Sequence, residues 1–94
     1  MAKLRVGVFG VRRGYDYIRA LMVLGCDVVA ICENREALRN EISGILGEGT
    51  KAYDNFDEFI KHDMDAVVLA NYANEHAPFA IRCLKAGKHV FSEV

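Results

Sequence analysis

Short apolar runs alternate with helical repeats along the whole of this 94-residue chain, and that alternation constrains the fold more than any other feature. Leu4–Phe9, Asp27–Cys32 and Ala66–Ala70 are apolar without a polar face, as strands covered on both sides are. Lys51–Tyr53 reads as a brief further strand, and His89–Phe91 begins a fifth. Between them, Tyr15–Leu24 places Ile18, Leu21 and Met22 on one helical face and stops at Gly25. Arg35–Leu46 repeats through Leu38, Ile42, Ile45 and Leu46 and stops at Gly47. Asp54 or Asn55 suits the cap of a short helix whose inward stripe is Phe56, Phe59 and Ile60. Asn74 suits the cap of the last helix, Pro78 fits its first turn, and Ala77, Ala80, Ile81 and Leu84 form the expected buried face before Gly87.

Five strands separated by four helices imply an α/β fold with a parallel sheet, because each crossover helix returns the chain to the same end of the sheet. Right-handed crossovers leave few arrangements, of which the doubly wound order 3-2-1-4-5 is the commonest. One domain over residues 1–94 accommodates this length. The net charge of −1 leaves no excess of Lys and Arg for a general nucleic-acid or membrane surface. No apolar stretch approaches a membrane span, and the N-terminus runs into a strand without a signal peptide. Cys26, Cys32 and Cys83 form no CxxC pair and read as free thiols in a reducing compartment. His62, His76 and His89 lack metal-ligand spacing. A cytoplasmic protein without a metal is expected.

In a doubly wound sheet, ligands bind beyond the carboxyl ends of the strands where strand order reverses. Here that point lies after the first and fourth strands, at Gly10-Val11-Arg12-Arg13-Gly14 and at Asn71-Tyr72-Ala73-Asn74. The first segment leads into a helix whose unpaired N–H groups and dipole favour a phosphate. Against a GxGxxG pattern, Arg12 takes the second glycine position and Tyr15 the third; dropping one residue makes Gly14 the third glycine instead. A strand-to-helix turn with incidental glycines accounts for the segment equally well. Glu33 is a second, independent signal. It ends the second strand about twenty residues after the loop, where an acid binds the adenosine ribose hydroxyls. An acid there favours NAD by repelling a 2′-phosphate, whereas Arg35 close behind it suits NADP. Asn34 and Arg35 complete the cofactor-facing set at this strand end.

Two later segments make the reading more specific. Asp65–His76 (DAVVLANYANEH) and Ala86–Val94 (AGKHVFSEV) strongly resemble the glucose–fructose oxidoreductase / inositol dehydrogenase / MocA family, whose nucleotide-binding half closes on DAVVVATP…H…A…LxAGKHVxxEKP. The resemblance runs from Arg5 to the end of the chain and implies an NAD(P)-binding Rossmann fold. It implies that Gly10–Gly14 holds the pyrophosphate and Glu33 the ribose. It sets Asn71 and Tyr72, in place of the family's Thr-Pro, beside the cofactor together with Asn74. It also matches His76 to the family's histidine and Glu93 to the Glu of Glu-Lys-Pro, near the nicotinamide. Purely structural roles stay open for His76, as a partner in its helix's first turn, and for Glu93, as a solvated edge residue.

Two departures from the family accompany these matches. Val94 stands where the family places a lysine commonly given a catalytic role, and the family's second, α+β domain is not in the sequence. The expectation is therefore a cofactor-binding portion of an oxidoreductase of sugars, cyclitols or related alcohols, with no catalytic residue of its own. A non-catalytic nucleotide-sensing or interaction module is the alternative, its exposed fifth strand pairing with a second copy or another chain. A coenzyme A-binding domain is a more distant third.

Overall fold

The computed structural model describes residues 3–70 and 76–92, with backbone alone described at 12–14, 76, 77 and 92. Strand and helix alternate: β1 (Arg5–Phe9), α1 (Val11–Val23), β2 (Asp27–Cys32), α2 (Glu36–Leu46), β3 (Lys51–Tyr53), α3 (Phe56–Phe59), β4 (Ala66–Leu69), α4 (His76–Lys85) and β5 (His89–Ser92). The strands form one sheet in the order β3-β2-β1-β4-β5, every pair parallel. This is the doubly wound arrangement that the alternation implies.

Each apolar strand feeds two cores because successive side chains point to opposite faces. Val6 and Val8 of β1, with Ala66 and Val68 of β4, meet Val11 and Ile18 of α1 and Ile42 of α2 on one side. Val67 and Leu69 of β4 meet Phe56, Phe59 and Cys83 from α3 and α4 on the other, and Phe9 of β1 packs there too. Strand β2 breaks strict alternation. Val28 and Ile31 face the first core, whereas Val29 and Ala30 both join the second. The register against β1 shifts at this point, Val6 pairing with Val28 but Gly7 with Ala30. One extra residue in a strand re-aims everything after it. The Thr50 hydroxyl, itself buried, donates to the Val28 carbonyl at 2.6 Å and so satisfies an acceptor next to the irregularity.

At the amino ends of the strands, Asp65 accepts from the Arg5 backbone N–H at 2.9 Å and from its guanidinium at 3.2 Å, while Asp63 takes a second guanidinium nitrogen at 2.6 Å. The opposite ends of β1 and β4 carry aromatic packing instead. Phe9, Phe56 and Phe79 form a trio with ring centroids 4.7–4.8 Å apart, and the Arg82 guanidinium lies 4.8 Å over Phe56.

Several expected positions differ. Helix α1 begins at Val11, four residues before the expected start at Tyr15. Met22, expected inward, is 56% exposed, whereas Ile18 is fully buried and Leu21 packs on the core. Met22 falls in the last turn of α1, where Val23 and the following Leu24 are exposed as well. In α2, Ile42 is buried and Leu38 and Leu46 pack inward, but Ile45 is exposed. In α4 the buried stripe is Phe79, Ala80 and Cys83, while Ile81 and Leu84, both expected inside, face solvent. Phe79 sets this phase by filling the space beside Phe9 and Phe56, which turns Ile81, two residues on, away from the sheet. Between Asp54 and Asn55 the structure selects Asn55, whose Oδ1 accepts from the N–H groups of Asp57 at 2.7 Å and Glu58 at 3.3 Å. Phe56 and Phe59 are buried as expected and Ile60 packs beside them. The expected cap Asn74 lies outside the described residues. The helix stops read at Gly25, Gly47 and Gly87 each carry positive φ.

Gly7 sits in the central strand with the Met64 sulfur and the Phe59 ring against it, and a Cβ there would lie 2.8 Å from Phe59 Cζ. Substituting Gly7→Ala is expected to lower folding stability by about 1–3 kcal/mol through overpacking. Urea denaturation should show a lower midpoint with unchanged slope. Ile45→Gln, on the exposed side of α2, should stay within about 0.5 kcal/mol of the parent; a Gly7→Ala protein as stable as that control would contradict the packing.

Candidate functional site

The carboxyl ends of β1, β2 and β4 converge where strand order reverses. Gly10 turns the chain with φ 89° and ψ 83°, and α1 starts at the very next residue. Only a residue without Cβ takes this backbone conformation without strain, which is why one residue suffices for the turn. The five residues read as a loop therefore divide into a one-residue turn at Gly10 and the first helical turn, Val11–Gly14. Gly10 has no side chain to cap α1 and no acid lies in its first turn; the Val11 N–H is taken by the Glu33 carboxylate, and the N–H groups after it, with the positive dipole end, are suited to an anion. The turn is pinned on both flanks: the Gly10 N–H donates to the Cys32 carbonyl at 3.0 Å, and the Ala70 N–H donates to Phe9 at 2.8 Å.

Glu33 lies one residue beyond β2 and is only 4% exposed, an unusual place for a carboxylate without a partner. Arg35 is that partner. Its backbone N–H and its Nε donate to Glu33 Oε2 at 3.0 and 2.9 Å, and a terminal guanidinium nitrogen donates to Oε1 at 3.2 Å. Burial by itself would raise the Glu33 carboxyl. The Arg35 side-chain and backbone hydrogen bonds, the Arg35 charge and the Val11 backbone N–H together hold it below the ordinary glutamate range. The Glu33 backbone is fixed as well: its N–H donates to the Tyr53 carbonyl at 2.9 Å, and Arg39 donates to its carbonyl at 3.0 Å. The carboxylate is thus ionised, buried and held at the junction of β2 with the start of α1.

Of the residues expected at the site, the structure brings together Gly10, Val11, Glu33 and Arg35. Arg12, Arg13 and Gly14 fall in the first turn of α1, and His76 is the first residue of α4. Asn34 is exposed in the bend between β2 and α2. Asn71, Tyr72, Asn74 and Glu93, and with them Val94, lie outside the described residues. Sequence reasoning missed Arg39. Its signal was its place one helical turn after Arg35, on the same side of α2. The neighbouring thiol of Cys32 is buried, and burial pushes it up to about 12, helped by the Glu33 charge. Among the described residues no group of three or more His, Cys, Asp or Glu is placed to hold a metal, and no helix is long and apolar enough to cross a membrane.

This arrangement fits a dinucleotide. A fixed carboxylate at the end of β2 suits a ribose diol, and the first turn of α1 beside it suits a phosphate. Comparison with known proteins agrees. The family model described as "Oxidoreductase family, NAD-binding Rossmann fold" matches residues 4–94. The myo-inositol 2-dehydrogenase of Thermotoga maritima is 36% identical over 93 residues, covering 96% of this chain and 28% of the relative. The scyllo-inositol dehydrogenase of Lactobacillus casei, solved with NAD(H) and scyllo-inositol, superposes with a TM-score of 0.82 at 26% identity, over 97% of this chain and 28% of that one. A 3-ketoreductase from Actinomadura kijaniata, solved with TDP-benzene and NADP, gives 0.80 at 29% identity, over 99% and 30%. The chain therefore spans somewhat more than a quarter of the length of these relatives. Sheet order and family match agree, and the chain belongs to the Gfo/Idh/MocA oxidoreductase family, of which it carries the NAD-binding Rossmann fold.

Proposed function

We propose that this chain holds the adenosine and pyrophosphate parts of a nicotinamide dinucleotide for an oxidoreductase acting on a sugar, cyclitol or related alcohol. The observation carrying this reading is the buried Glu33 carboxylate at the start of α1, where it accepts from the Val11 N–H. Glu33, with Asn34 and Arg35, would receive the adenosine ribose. Gly10, Val11, Arg12, Arg13 and Gly14 would receive the pyrophosphate. Asn71, Tyr72, Asn74, His76 and Glu93 would line the nicotinamide side. When bound, the nicotinamide ring supplies hydride transfer. The chain's own part is to orient that cofactor; Val94 in place of the family's lysine leaves it without an assigned acid–base group. Buried thiols at Cys32 and Cys83 fit a cytoplasmic setting.

A second reading, an interaction module, draws on the sheet edge. Among the described residues no strand flanks the outer side of β5, and Phe91 on it is 57% exposed. An uncovered edge is a template for pairing with a second copy. Sedimentation equilibrium separates the two: a dimer indifferent to dinucleotide favours the module, a dinucleotide-binding monomer the cofactor reading.

NADH titration, followed by fluorescence or calorimetry, tests the main proposal, and no binding at millimolar concentration would contradict it. Glu33→Gln removes a charged acceptor at the ribose and is expected to weaken NADH about 10-fold or more, with a smaller effect on NADPH. Equal losses for both cofactors would exclude the ribose role.

The pH dependence follows from the lowered Glu33 carboxyl. The carboxylate stays ionised above the ordinary glutamate value of about 4.3, so its contribution is complete there. It is lost only as pH falls through the lower folded value. NADH affinity should accordingly be flat through neutral and mildly acidic pH and decline only below that range. A decline centred near neutrality would show that another group governs binding.

A further inference from the structure

The Glu33 carboxylate is only as well placed as the main chain that carries it. Glu33 is the first residue past β2, and Asn34 after it bends the chain toward α2. Two bonds hold the Glu33 main chain. Its N–H donates to the Tyr53 carbonyl at 2.9 Å, but Tyr53 ends an edge strand of three residues, and short edge elements are the first to open. Its carbonyl accepts from Arg39 Nη1 at 3.0 Å, and no other donor among the described residues reaches it. Arg39 closes the bend a second time, because its backbone N–H donates to the Arg35 carbonyl at 2.9 Å. Its side chain is partly buried, and its charge lies near that of Glu33, since the two act on the Cys32 thiol in opposite directions. Helix α2 itself gains nothing from this charge. Arg39 is the fourth residue of that helix, where a cation faces the positive end of the dipole.

We infer that Arg39 is a positioning residue: by holding the Glu33 carbonyl it sets where the carboxylate stands, and through the carboxylate it orders the start of α1. The second half follows from the Val11 N–H, which donates to that carboxylate. The inference rests on the dinucleotide reading, in which the acid takes the ribose and the first turn of α1 the pyrophosphate. One ligand must meet both at once, so their separation has to be fixed before binding, to within about 0.5 Å for full benefit. Without the Arg39 side chain, the Glu33 main chain keeps only its bond to Tyr53. Ordering the acid then becomes part of the binding step and subtracts from affinity. Arg39 itself touches neither ribose nor phosphate in this scheme and acts only through Glu33.

The test is calorimetric titration of the 94-residue chain with NADH, comparing the parent, Arg39→Met and Arg39→Lys, each alone and combined with Glu33→Gln, with thermal melts to confirm folding. Arg39→Met keeps the apolar stem and loses the donor. It should weaken NADH about 3- to 10-fold, the worth of one hydrogen bond. Arg39→Lys retains a charged donor for this single contact and should bring affinity back to within about 2-fold of the parent. With Glu33→Gln, where the carboxylate is already lost, the Arg39→Met step should shrink to under about 2-fold. A step of equal size in both backgrounds, no loss with Met, or no rescue by Lys overturns the inference and leaves the cofactor reading standing. Amide hydrogen exchange on the ligand-free proteins gives a second readout. Val11 and Arg35, whose N–H groups both donate to Glu33, should exchange faster in Arg39→Met while Val8 in β1 keeps its rate. Unchanged exchange at both positions also overturns it. Should Arg39→Met fail to fold, Arg39→Gln, too short to reach the carbonyl, takes its place in both measurements. A parent chain that binds no NADH defeats the cofactor reading itself, and exchange then decides the positioning role alone.

Discussion

Everything in this fold leans on the five residues of β1. The strand pairs with β2 on one side and β4 on the other, so the sheet has no continuity without it. Its side chains divide between two cores, Val6 and Val8 toward α1 and α2, Phe9 toward α3 and α4. Gly7 is the necessary gap on the second face: the Phe59 ring and the Met64 sulfur occupy the space a side chain would need. Close approach there lets the four-residue α3 press its aromatic rings onto the strand and share the cover of this side of the sheet with α4. Burial of both faces then supplies the stability that a chain of this length barely has in reserve.

The site inherits its order from that strand. The same chain that packs Phe9 against Phe56 and Phe79 reverses one residue later at Gly10, and the reversal aims the start of α1 across the end of β2. Glu33 is then buried by position, not by hydrophobic preference, and the structure compensates with Arg35 and Arg39. A buried acid with a partner is tolerable; one whose partner reaches solvent is also exchangeable. Electrostatics of this kind costs stability when the pair is opened, and binding of a polar ligand is the natural way to offset the cost.

How much of this was legible in the sequence follows from what each signal reports. Strand positions and sheet order were readable because runs such as Ala66–Leu69 are buried on both faces and cannot be mistaken for half-exposed strands. Glu33 was readable from its distance to the glycine turn. The inward faces of helices were less so. Met22, Ile45, Ile81 and Leu84 are apolar and correctly spaced, yet exposed, because periodicity reports which residues share a face but not where the sheet beneath them ends or which ring claims the space first. The start of α1 was misread for a related reason: Arg12 and Arg13 are good helix formers, but the glycines on either side of them signal a loop. The bond from Arg35 to Glu33 left no trace in any pattern, since a two-residue spacing outside a helix has no fixed geometry.

Cys32 gives the region one more property. Its thiol lies in the last position of β2, directly before the acid, wholly covered and reluctant to ionise. Alkylating reagents act on thiolates, so this sulfur stays silent while the sheet is closed and answers only when the strand ends part. Cys83, in the same core under α4, is covered in the same way and pushed up to about 11. The chain thus carries two reporters inside one core, one at the end of β2 and one under α4. Their relative labelling rates read out, without any added probe, whether β2 or α4 parts from that core first.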